Sequence, residues 1–480
     1  MIGAYGAGNN YTGAAHIVYG SETPFNATFD LGSLDGTNGF TFDGLNQRDY
    51  TGGHVSSAGD VNGDGFDDVI IGAYGSDVTA SAAGQSFVVF GSAAPFAASF
   101  DPTDLDGVNG FAINGVNAGD VAGIRVSDAG DVNNDGFDDV LIGAYGSDTN
   151  GSSSGTSYLV FGSGNPFDPS IDLASLDGSN GFAMNGIGFQ DLSGQSVSSA
   201  GDINGDGIDD ILIGAQWADP YGSKSGETYV VFGSDTPFAA SIELSSLDGT
   251  NGFTLKGVNA DDLSGGAVAA GGDINGDGFE DILITAHWAD PNGSKSGETY
   301  VVYGSDTPFA ASMDLSSLDG SNGFVINGID ADDFSGISVS SAGDVNGDGF
   351  DDILIGAFGA DPSGTFSGET YLVYGSDTPF SASMDLSSLD GSDGFVFNGI
   401  DANDRSGYRI SGAGDVNNDG FDDMLIGAYL ADANGVTETG ESYLVYGGGA
   451  VLTAFDAADG VSDGSIQLSN LASAPEDFIV

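Results

Sequence analysis

The nine-residue stretch DVNGDGFDD occupies positions 60–68, and close copies begin at 131, 202, 273, 344 and 415. Each copy starts 71 residues after the previous one and is followed by a run of Ile, Leu and Val. A fixed period of this kind indicates one repeat array, in which each unit covers the apolar face of its neighbour. The 480-residue chain is therefore expected to form one large domain rather than the three that its length alone would suggest.

One full unit, residues 336–402, reads as four short strands separated by loops: GISVSSAG, ILIGAF, ETYLVYG and GFVFNGI. No segment sustains helical periodicity, and the 82 glycines place turns where helices would have to run. Four strands per unit are typical of a propeller blade, and the continuous apolar second strand suits a position covered on both faces. A β-solenoid is the alternative, although its coils are usually much shorter.

Seven third strands can be counted, from HIVYG at 16–20 to SYLVYG at 442–447. The sequence therefore predicts an all-β fold, a seven-bladed β-propeller of four-stranded antiparallel blades, whose first blade is incomplete because the chain begins in its second strand. The predicted units are 1–51, 52–122, 123–193, 194–264, 265–335, 336–406 and 407–480.

The two ends of the chain carry further expectations. DGSIQLSNLASAPEDFIV at 463–480 reads as a degenerate fourth strand, a connection and a last short strand. Phe478, Ile479 and Val480 are expected to close the ring against residues 2–6, and truncation of a longer chain is equally compatible. IGAYG at 2–6 matches IGAYG at 71–75, so Met1 falls inside a repeat. We therefore expect a fragment, in which a missing signal peptide proves little.

Composition excludes several classes of partner and site. Seven Lys and Arg against 71 Asp and Glu give a formal charge of −64, which repels nucleic acid and anionic membranes and favours cations. The absence of Cys excludes disulfides, zinc-thiolate sites and thiol nucleophiles. No apolar stretch approaches the 18 residues of a membrane span, so we expect no membrane insertion.

The repeated stretch has the ligand spacing of a calcium loop. Counted from Asp60, side-chain oxygens fall at positions 1, 3, 5 and 9, Gly65 at position 6 allows a sharp turn, and position 7 offers its carbonyl. Three carboxylates without a cation would repel one another, so a bound metal should contribute to folding. The alternative is a metal-free turn of Asp, Asn and Gly. An EF-hand is excluded because position 12 is always Ile, beginning with Ile71, within a strand.

The loop resembles the strand-loop-strand Ca²⁺ site of FG-GAP repeats, as in the head of integrin α subunits, where it joins the first and second strands of a seven-bladed propeller. LIGAYG and YLVYGS match the Gly-Ala and Phe-Gly positions that name the family, and the resemblance covers nearly the whole chain. It implies an oxygen ligand set in each of six loops. These sets are Asp60, Asn62, Asp64, Phe66 and Asp68; Asp131, Asn133, Asp135, Phe137 and Asp139; Asp202, Asn204, Asp206, Ile208 and Asp210; Asp273, Asn275, Asp277, Phe279 and Asp281; Asp344, Asn346, Asp348, Phe350 and Asp352; and Asp415, Asn417, Asp419, Phe421 and Asp423.

We expect about six Ca²⁺ ions, bound with dissociation constants of roughly 10⁻⁴ to 10⁻³ M, as in extracellular modules. Such sites would be filled outside a cell and mostly empty in cytosol. The acids at position 8 are expected to point elsewhere. Because nearly every blade has the loop, unlike integrin heads, the pattern favours general stiffening over a ligand-switched subset.

Two sets of residues are candidates for ligand binding on the face opposite the metal loops. Trp217 and Trp288, the only tryptophans, occupy equivalent positions and would stack on sugar rings if exposed; packing against their own loops is the alternative. Basic residues cluster at or near the unit junctions, where they could receive a carboxylate or sulfate, or pair with nearby acids such as Asp404. This basic set is Arg48, His54, Arg125, Arg405 and Arg409.

The sequence contains few candidates for catalytic residues. His16, His54 and His287 lie in different units, and no Ser-His-Asp order or zinc motif appears. We therefore predict a non-catalytic, calcium-stabilised extracellular or cell-surface propeller for adhesion or ligand recognition, with a surface protein or a glycan as partner. The alternative is a lectin or a polysaccharide lyase or hydrolase, with a site assembled from His54, Arg125, Arg409 and Tyr408.

Overall fold

The computed structural model describes residues 1–23, 25–432, 436–471 and 478–479, and its regular structure is almost entirely β-strand. Seven sheets follow one another in the arrangement of a seven-bladed β-propeller, which confirms the predicted fold class. Two short α-helices, Gly449–Asp456 and Leu468–Leu471, are the only ones in the described residues. No described helix combines the length and apolar character needed to cross a membrane.

The blades are numbered 1 to 7 and their antiparallel strands first to fourth, in chain order. Blade 1 begins with its second strand. The first strands are His54–Gly59, Arg125–Gly130, Ser196–Gly201, Val268–Gly272, Ser338–Gly343 and Ser406–Gly414. The second strands are Ile2–Gly3, Asp68–Ala73, Asp139–Ala144, Asp210–Ala215, Asp281–Ala286, Asp352–Ala357 and Asp423–Ala428. The third strands are Ala14–Val18, Gln85–Val89, Thr156–Val160, Glu227–Val231, Glu298–Val302, Glu369–Val373 and Glu441–Val445. The fourth strands are Gly39–Asp43, Gly110–Asn114, Gly181–Asn185, Gly252–Lys256, Gly323–Asn327, Gly394–Asn398 and Phe478–Ile479.

Contacts divide the chain into two compact units. The first comprises Met1–Tyr19, Leu34–Lys256 and Asp306–Met313, and the second comprises Gly20–Ser33, Gly257–Ser305 and Asp314–Val480.

Within each unit, apolar second strands of neighbouring blades share a core. Ile70 and Ile142 join blades 2 and 3 in the first unit. Leu283 and Ile353 join blades 5 and 6 in the second. Full burial of such a side chain stabilises the fold by about 1.5–3 kcal/mol, so the second strands hold successive blades together.

A short fifth strand extends the blades. The segment between the third and fourth strands of one blade pairs in parallel with the fourth strand of the preceding blade, as Ser170–Asp172 does with Ala112, Ile113 and Asn114. The same element recurs at Ser99–Phe100, Ser241–Glu243, Ser312–Asp314, Ser383–Asp385 and Ser465–Gln467. From the sequence, this segment is expected to be a polar connection. The strand has no clear sequence signal because each copy is only two or three residues long and has one inward-facing apolar side chain.

Stacked phenylalanines hold the same connection in place. Phe167 of the blade 3 connection lies 4.4 Å, ring centroid to ring centroid, from Phe111 on the fourth strand of blade 2, with near-parallel planes. Equivalent stacks with separations of 4.3–4.4 Å recur along the chain. Five of these phenylalanines therefore anchor their connection on the preceding blade: Phe96, Phe167, Phe238, Phe309 and Phe380.

The C-terminal strand differs from its predicted place. Phe478–Ile479 pairs antiparallel with Tyr443 and Leu444 and so forms the fourth strand of blade 7, rather than pairing with residues 2–6. Ser465–Gln467, predicted as that fourth strand, is instead the fifth strand of blade 6. The reason lies in the repeat itself, because SIQLSNL at 465–471 matches SMDLSSL at 383–389. Val480 lies outside the described residues.

The last blade also contacts the connection of the first. The N–H of Ser21 donates to the carbonyl of Val416 at 2.9 Å, in the same way that Ser163 donates to Val61 between blades 3 and 2. Phe25 packs in the same cluster as Leu444 and Tyr446. The contact that joins successive blades is thus repeated between Ser21 and Phe25 and blade 7.

Candidate metal centre

Each Asp-rich loop joins the first and second strands of a blade, where the antiparallel register shifts. In blade 2 the shift lies between Ser57 and Gly59, just before the loop begins. The glycine at loop position 6 has φ between 87° and 92° in all six loops, which is left-handed backbone that L side chains rarely adopt. This confirms the predicted role of that glycine in the sharp turn.

Aspartate at position 1 organises the loop. In blade 2 the two carboxylate oxygens of Asp60 accept hydrogen bonds from the backbone N–H of Asp64, at 3.0 Å, and of Gly65, at 2.8 Å. All six loops make both bonds, with lengths of 2.8–3.0 Å. The Asp carboxylate at position 5 accepts from the N–H of position 7 in every loop. Six loops of slightly different sequence therefore share one conformation.

The acid at position 9 is buried and holds the loop to the blade. Asp68 is 1% exposed; its Oδ2 accepts from Val61 N at 3.0 Å, and its Oδ1 accepts from Gly91 N, beyond the third strand, at 2.8 Å. The equivalent bond to a glycine after the third strand occurs in all six blades. The sequence predicts this residue only as a ligand, whereas in the fold it ties the loop to its own blade.

Burial and neighbouring negative charge make these acids weak. Burial first, and then the negative charges of Asp64 and Asp60, raise the pKa of Asp68 to about 7 against the opposing effect of the two backbone hydrogen bonds. The pKa of Asp210, Asp281 and Asp352 is raised to about 8 and that of Asp423 to about 7, first by burial. The charges at positions 1, 5 and 9 therefore act on one another, which is the repulsion that a cation would relieve.

Asparagine at position 3 provides the clearest sign that a cation fits the loop. Oδ1 of Asn133 and Oδ1 of Asn346 are buried and accept no hydrogen bond among the described residues. In four other loops, Oδ1 of this Asn accepts from the N–H of position 5. A buried oxygen without a donor costs free energy of about 1–3 kcal/mol, and an oxygen-loving cation would satisfy it.

The donor set fits Ca²⁺ chemically, although the loop carboxylates are turned onto backbone N–H groups. No three His, Asp or Glu side chains form a ready-made metal cluster within 1–23, 25–432, 436–471 and 478–479. Binding would therefore use mixed oxygens, with the Asn side chain and the position 7 carbonyl beside the carboxylates. Calcium accepts such irregular sets of six to eight oxygens. The thirty predicted ligands stay a prediction.

The tryptophans lie in equivalent loops and carry a lysine on one face. Lys224 Nζ is 3.9 Å from the centroid of Trp217, and Lys295 Nζ is 4.3 Å from that of Trp288. Both lysines belong to the loop of the tryptophan that they cover. Trp288 is still 37% exposed. The contact agrees with packing against the loop, and sugar stacking stays a prediction.

The basic candidates are engaged with rings and main chain. Arg405 lies 5.6–5.8 Å from the rings of Phe358, Phe366 and Tyr429, and donates to the Tyr429 hydroxyl at 2.6 Å rather than to Asp404. Arg409 lies over Tyr408 at 4.8 Å.

In the first unit, Arg125 donates to the carbonyl of Ile124, and His54 Nδ1 is 3.5 Å from Val126 N. Arg48 sits in a turn with φ of 68°. Arg125, Arg405 and Arg409 thus contact aromatic rings or backbone groups, and the sequence does not indicate these contacts.

Two of the three histidines are buried and have lowered pKa values. Burial lowers the pKa of His287 to about 4, helped by the positive charges of Arg409 and Lys295. His16 Nδ1 is 3.0 Å from Thr41 Oγ1, and burial lowers its pKa as well. Both are therefore neutral near pH 7.

Fold and loops together define a β-propeller of repeated blades with an acidic loop in each of blades 2 to 7. The FG-GAP repeat family matches residues 52–89, 125–160, 193–231, 264–302, 335–373 and 406–445. The chain is an FG-GAP repeat protein with an integrin α-like β-propeller.

Curated relatives include integrins and one protein named as an enzyme. Integrin alpha pat-2 of Caenorhabditis elegans is 33% identical over 168 residues, 34% of this chain and 13% of that protein. Integrin alpha-5 of Xenopus laevis is 28% identical over 206 residues, 41% of this chain and 17% of that protein. Phosphatidylinositol-glycan-specific phospholipase D of Dictyostelium discoideum is 27% identical over 342 residues, 67% of this chain and 33% of that protein. The chain thus spans a third or less of these relatives.

Proposed function

We propose that this chain is a calcium-stabilised, non-catalytic β-propeller that recognises a ligand outside the cell, in adhesion or a related role. The observation that carries the proposal is the set of six Asp-rich loops with one hydrogen-bonded conformation. The match to integrin α subunits supports a role in recognition, and the formal charge of −64 favours surroundings rich in cations.

Calcium would be held by the side chains at positions 1, 3, 5 and 9 and by the carbonyl at position 7. In blade 6 these residues are Asp344, Asn346, Asp348, Asp352 and Phe350. When bound, the ion supplies positive charge among three carboxylates and a partner for the Asn346 oxygen. The chain's own contribution is the turn at position 6 and the buried Asp352, which fixes the loop to the end of the third strand.

A filled loop would stiffen the junction between two strands of its own blade. That junction belongs to the face where Asp-rich loops recur, while recognition would use the loops after the second strand and between units. A rigid scaffold with variable loops on one side is a common arrangement for binding proteins. We therefore assign stability to the acidic loops and recognition to the surface that carries Trp288 and Arg409.

The function is tested by binding, with calcium as the variable. The full chain, immobilised, is exposed to a panel of extracellular matrix proteins and glycans in Ca²⁺ and in EGTA. We expect a retained partner in Ca²⁺ that is lost in EGTA. Trp288→Ala and Arg409→Ala should weaken capture without altering Ca²⁺ binding. Retention of no panel member by a calcium-loaded, folded chain contradicts the recognition role.

A carbohydrate-directed function is the second candidate. Trp288 and Tyr221 are 37% and 52% exposed, and aromatic rings of this kind stack on sugars. This function could be that of a lectin or of a lyase. An assay for unsaturated sugar products separates the two, because a lectin retains glycans unchanged and a lyase cleaves them. Product formation by the full chain would overturn the non-catalytic assignment.

A further inference from the structure

The acid at loop position 8 contacts the loop of the preceding blade. Asp422 Oδ2 accepts a hydrogen bond from the backbone N–H of Asp344, the first residue of the blade 6 loop, at 2.9 Å. The N–H of Asp422 in turn donates to the carbonyl of Asp344 at 3.3 Å. The two residues are 78 positions apart, which is one repeat of 71 plus the 7 residues between loop positions 1 and 8. The sequence predicts only that this acid points away from its own site, and it indicates no partner.

The carboxylate contact recurs wherever two loops of one unit adjoin, and the N–H of Asp138 and of Asp351 also returns a bond to the preceding loop. Asp138 accepts from Asp60 N at 2.6 Å, Asp209 accepts from Asp131 N at 2.9 Å, and Asp351 accepts from Asp273 N at 2.8 Å. The glycine before the loop leaves room for this carboxylate, because a Cβ on Gly59, Gly130, Gly272 or Gly343 would overlap it. The contact therefore recurs four times, each time beside a glycine that makes room for the carboxylate, and it is a regular feature of the fold.

A ring at position 7 accompanies the carboxylate. Phe421 lies over Gly347, at position 4 of the preceding loop, so closely that a Cβ there would overlap the ring. Phe137 over Gly63 and Phe350 over Gly276 repeat the arrangement. The ring at position 7 of one loop therefore covers position 4 of the preceding loop, and the carboxylate at position 8 covers the start of that loop.

The contact reaches the residue that orders the preceding loop. Asp344 is capped at its N–H by Asp422, while its own carboxylate holds Asp348 N and Gly349 N. Asp422 is adjacent to Asp423, which ties the blade 7 loop to Val416 N and Gly447 N. When the blade 7 loop is ordered, Asp422 is therefore held in place over Asp344. The same contact acts in the opposite direction, so an ordered blade 6 loop also holds Asp422 in place.

We propose that the position 8 acid is a positioning residue for the metal loop of the preceding blade, so that adjacent calcium sites are coupled and filling one favours filling the next. The inference rests on the proposed calcium binding. It adds two series of linked sites, one in blades 2–4 and one in blades 5–7, in place of six independent sites. Linkage requires the coupling between two sites to be reciprocal.

Asp67 and a conservative variant of Asp422 supply the controls. Asp67 holds position 8 in blade 2; it is exposed, and no side-chain hydrogen bond is seen for it in the described part of the chain. Asp67→Ala therefore changes the same loop position without removing a cap. Asp422→Ala removes the cap on Asp344, and Asp422→Asn keeps an oxygen that can accept from the same N–H.

The test uses the full chain and follows hydrogen exchange of the peptide 344–350 during a Ca²⁺ titration. We expect Asp422→Ala to raise the Ca²⁺ midpoint for protection of that peptide about fivefold or more, the lower end of typical coupling. Asp422→Asn should restore it to within about twofold, and Asp67→Ala should leave it unchanged. An unshifted midpoint in Asp422→Ala, or an equal shift in Asp67→Ala or Asp422→Asn, overturns the assignment.

Coupling is separated from a structural effect by emptying one site and watching the other. Asp419→Ala removes a predicted ligand of blade 7 that does not touch the cap, and it should raise the midpoint of peptide 344–350. Asp348→Ala in blade 6 should raise the midpoint of the blade 7 loop by the same factor. Unequal or absent shifts overturn the coupling alone. If no loop of the unmodified chain gains protection in Ca²⁺, the proposed function fails as well.

Discussion

The loops of blades 6 and 7 have almost the same sequence and different surroundings. DVNGDGFDD at 344–352 and DVNNDGFDD at 415–423 make the same internal hydrogen bonds from position 1 and position 5. Asp344 is half-buried beneath Asp422, whereas Asp415 is exposed and a Cβ added to Gly414 would meet no atom within 4 Å. The comparison shows that local sequence sets the shape of the loop, while the following blade adds a cap over its first residue.

The largest expected effect is loss of calcium from all loops. At a free ion concentration of 10 to 100 times the dissociation constant, each site should stabilise the fold by about 1.4–2.7 kcal/mol. Thermal melts in about 10 mM Ca²⁺, roughly 10 to 100 times the expected dissociation constants, and in EGTA should therefore have widely separated midpoints. Mg²⁺ at equal ionic strength is the control for screening. Equal midpoints in Ca²⁺ and EGTA would contradict the metal assignment for both loops.

Acidification should stabilise the calcium-free chain. The raised pKa of Asp352, about 8, and of Asp423, about 7, means that the folded state holds protons that the unfolded state, with ordinary Asp near 4, has released. Stability in EGTA should therefore fall as pH rises from about 4 to 8. Saturating Ca²⁺ should reduce or reverse that slope, because the ion binds carboxylates. Urea denaturation at pH 5, 6.5 and 8 measures how the free energy of unfolding depends on pH. If Ca²⁺ does not change that dependence, calcium does not bind at these carboxylates.

Truncation of a buried position 9 acid should cost more than truncation of a position 5 acid in the same loop. Asp352→Ala leaves the N–H groups of Val345 and Gly375 without acceptors, at about 1–3 kcal/mol each. Asp348 is exposed, so Asp348→Ala in EGTA should cost less than about 1 kcal/mol. Chemical denaturation in EGTA compares them without metal. Equal losses would show that the buried acid does not tie the loop to its blade.

The smallest effect concerns position 4, where the two loops differ in sequence. Gly347 has φ of 79° and lies under Phe421, while Asn418 has φ of 60°. Gly347→Ala should cost about 1–3 kcal/mol through overpacking in addition to backbone strain, whereas Asn418→Ala should cost roughly 1 kcal/mol or less. Urea midpoints of the two variants give the comparison. A larger loss for Asn418→Ala would contradict the covering role of Phe421.

Several elements could be predicted from the sequence because they repeat. The apolar run VLIGA at 140–144 and the spacing of Asp131, Asn133 and Asp135 each recur at a fixed interval, so strand, loop and blade count could be read directly. The C-terminal segment shows the limit of such pattern matching. Aligning SIQLSNL with SMDLSSL would have placed Ser465–Gln467 correctly, but a short polar strand has no pattern of its own.

The sequence by itself determined the period, the order of strands, the turn at loop position 6 and the chemistry of the loop oxygens, because each depends on residues close together in the chain. Only the tertiary structure decided which N–H groups the carboxylates accept from, as when Asp422 meets Asp344. That contact joins residues 78 positions apart and exists only because packed second strands bring two blades together. Long-range hydrogen bonds follow from packing, which no local pattern specifies.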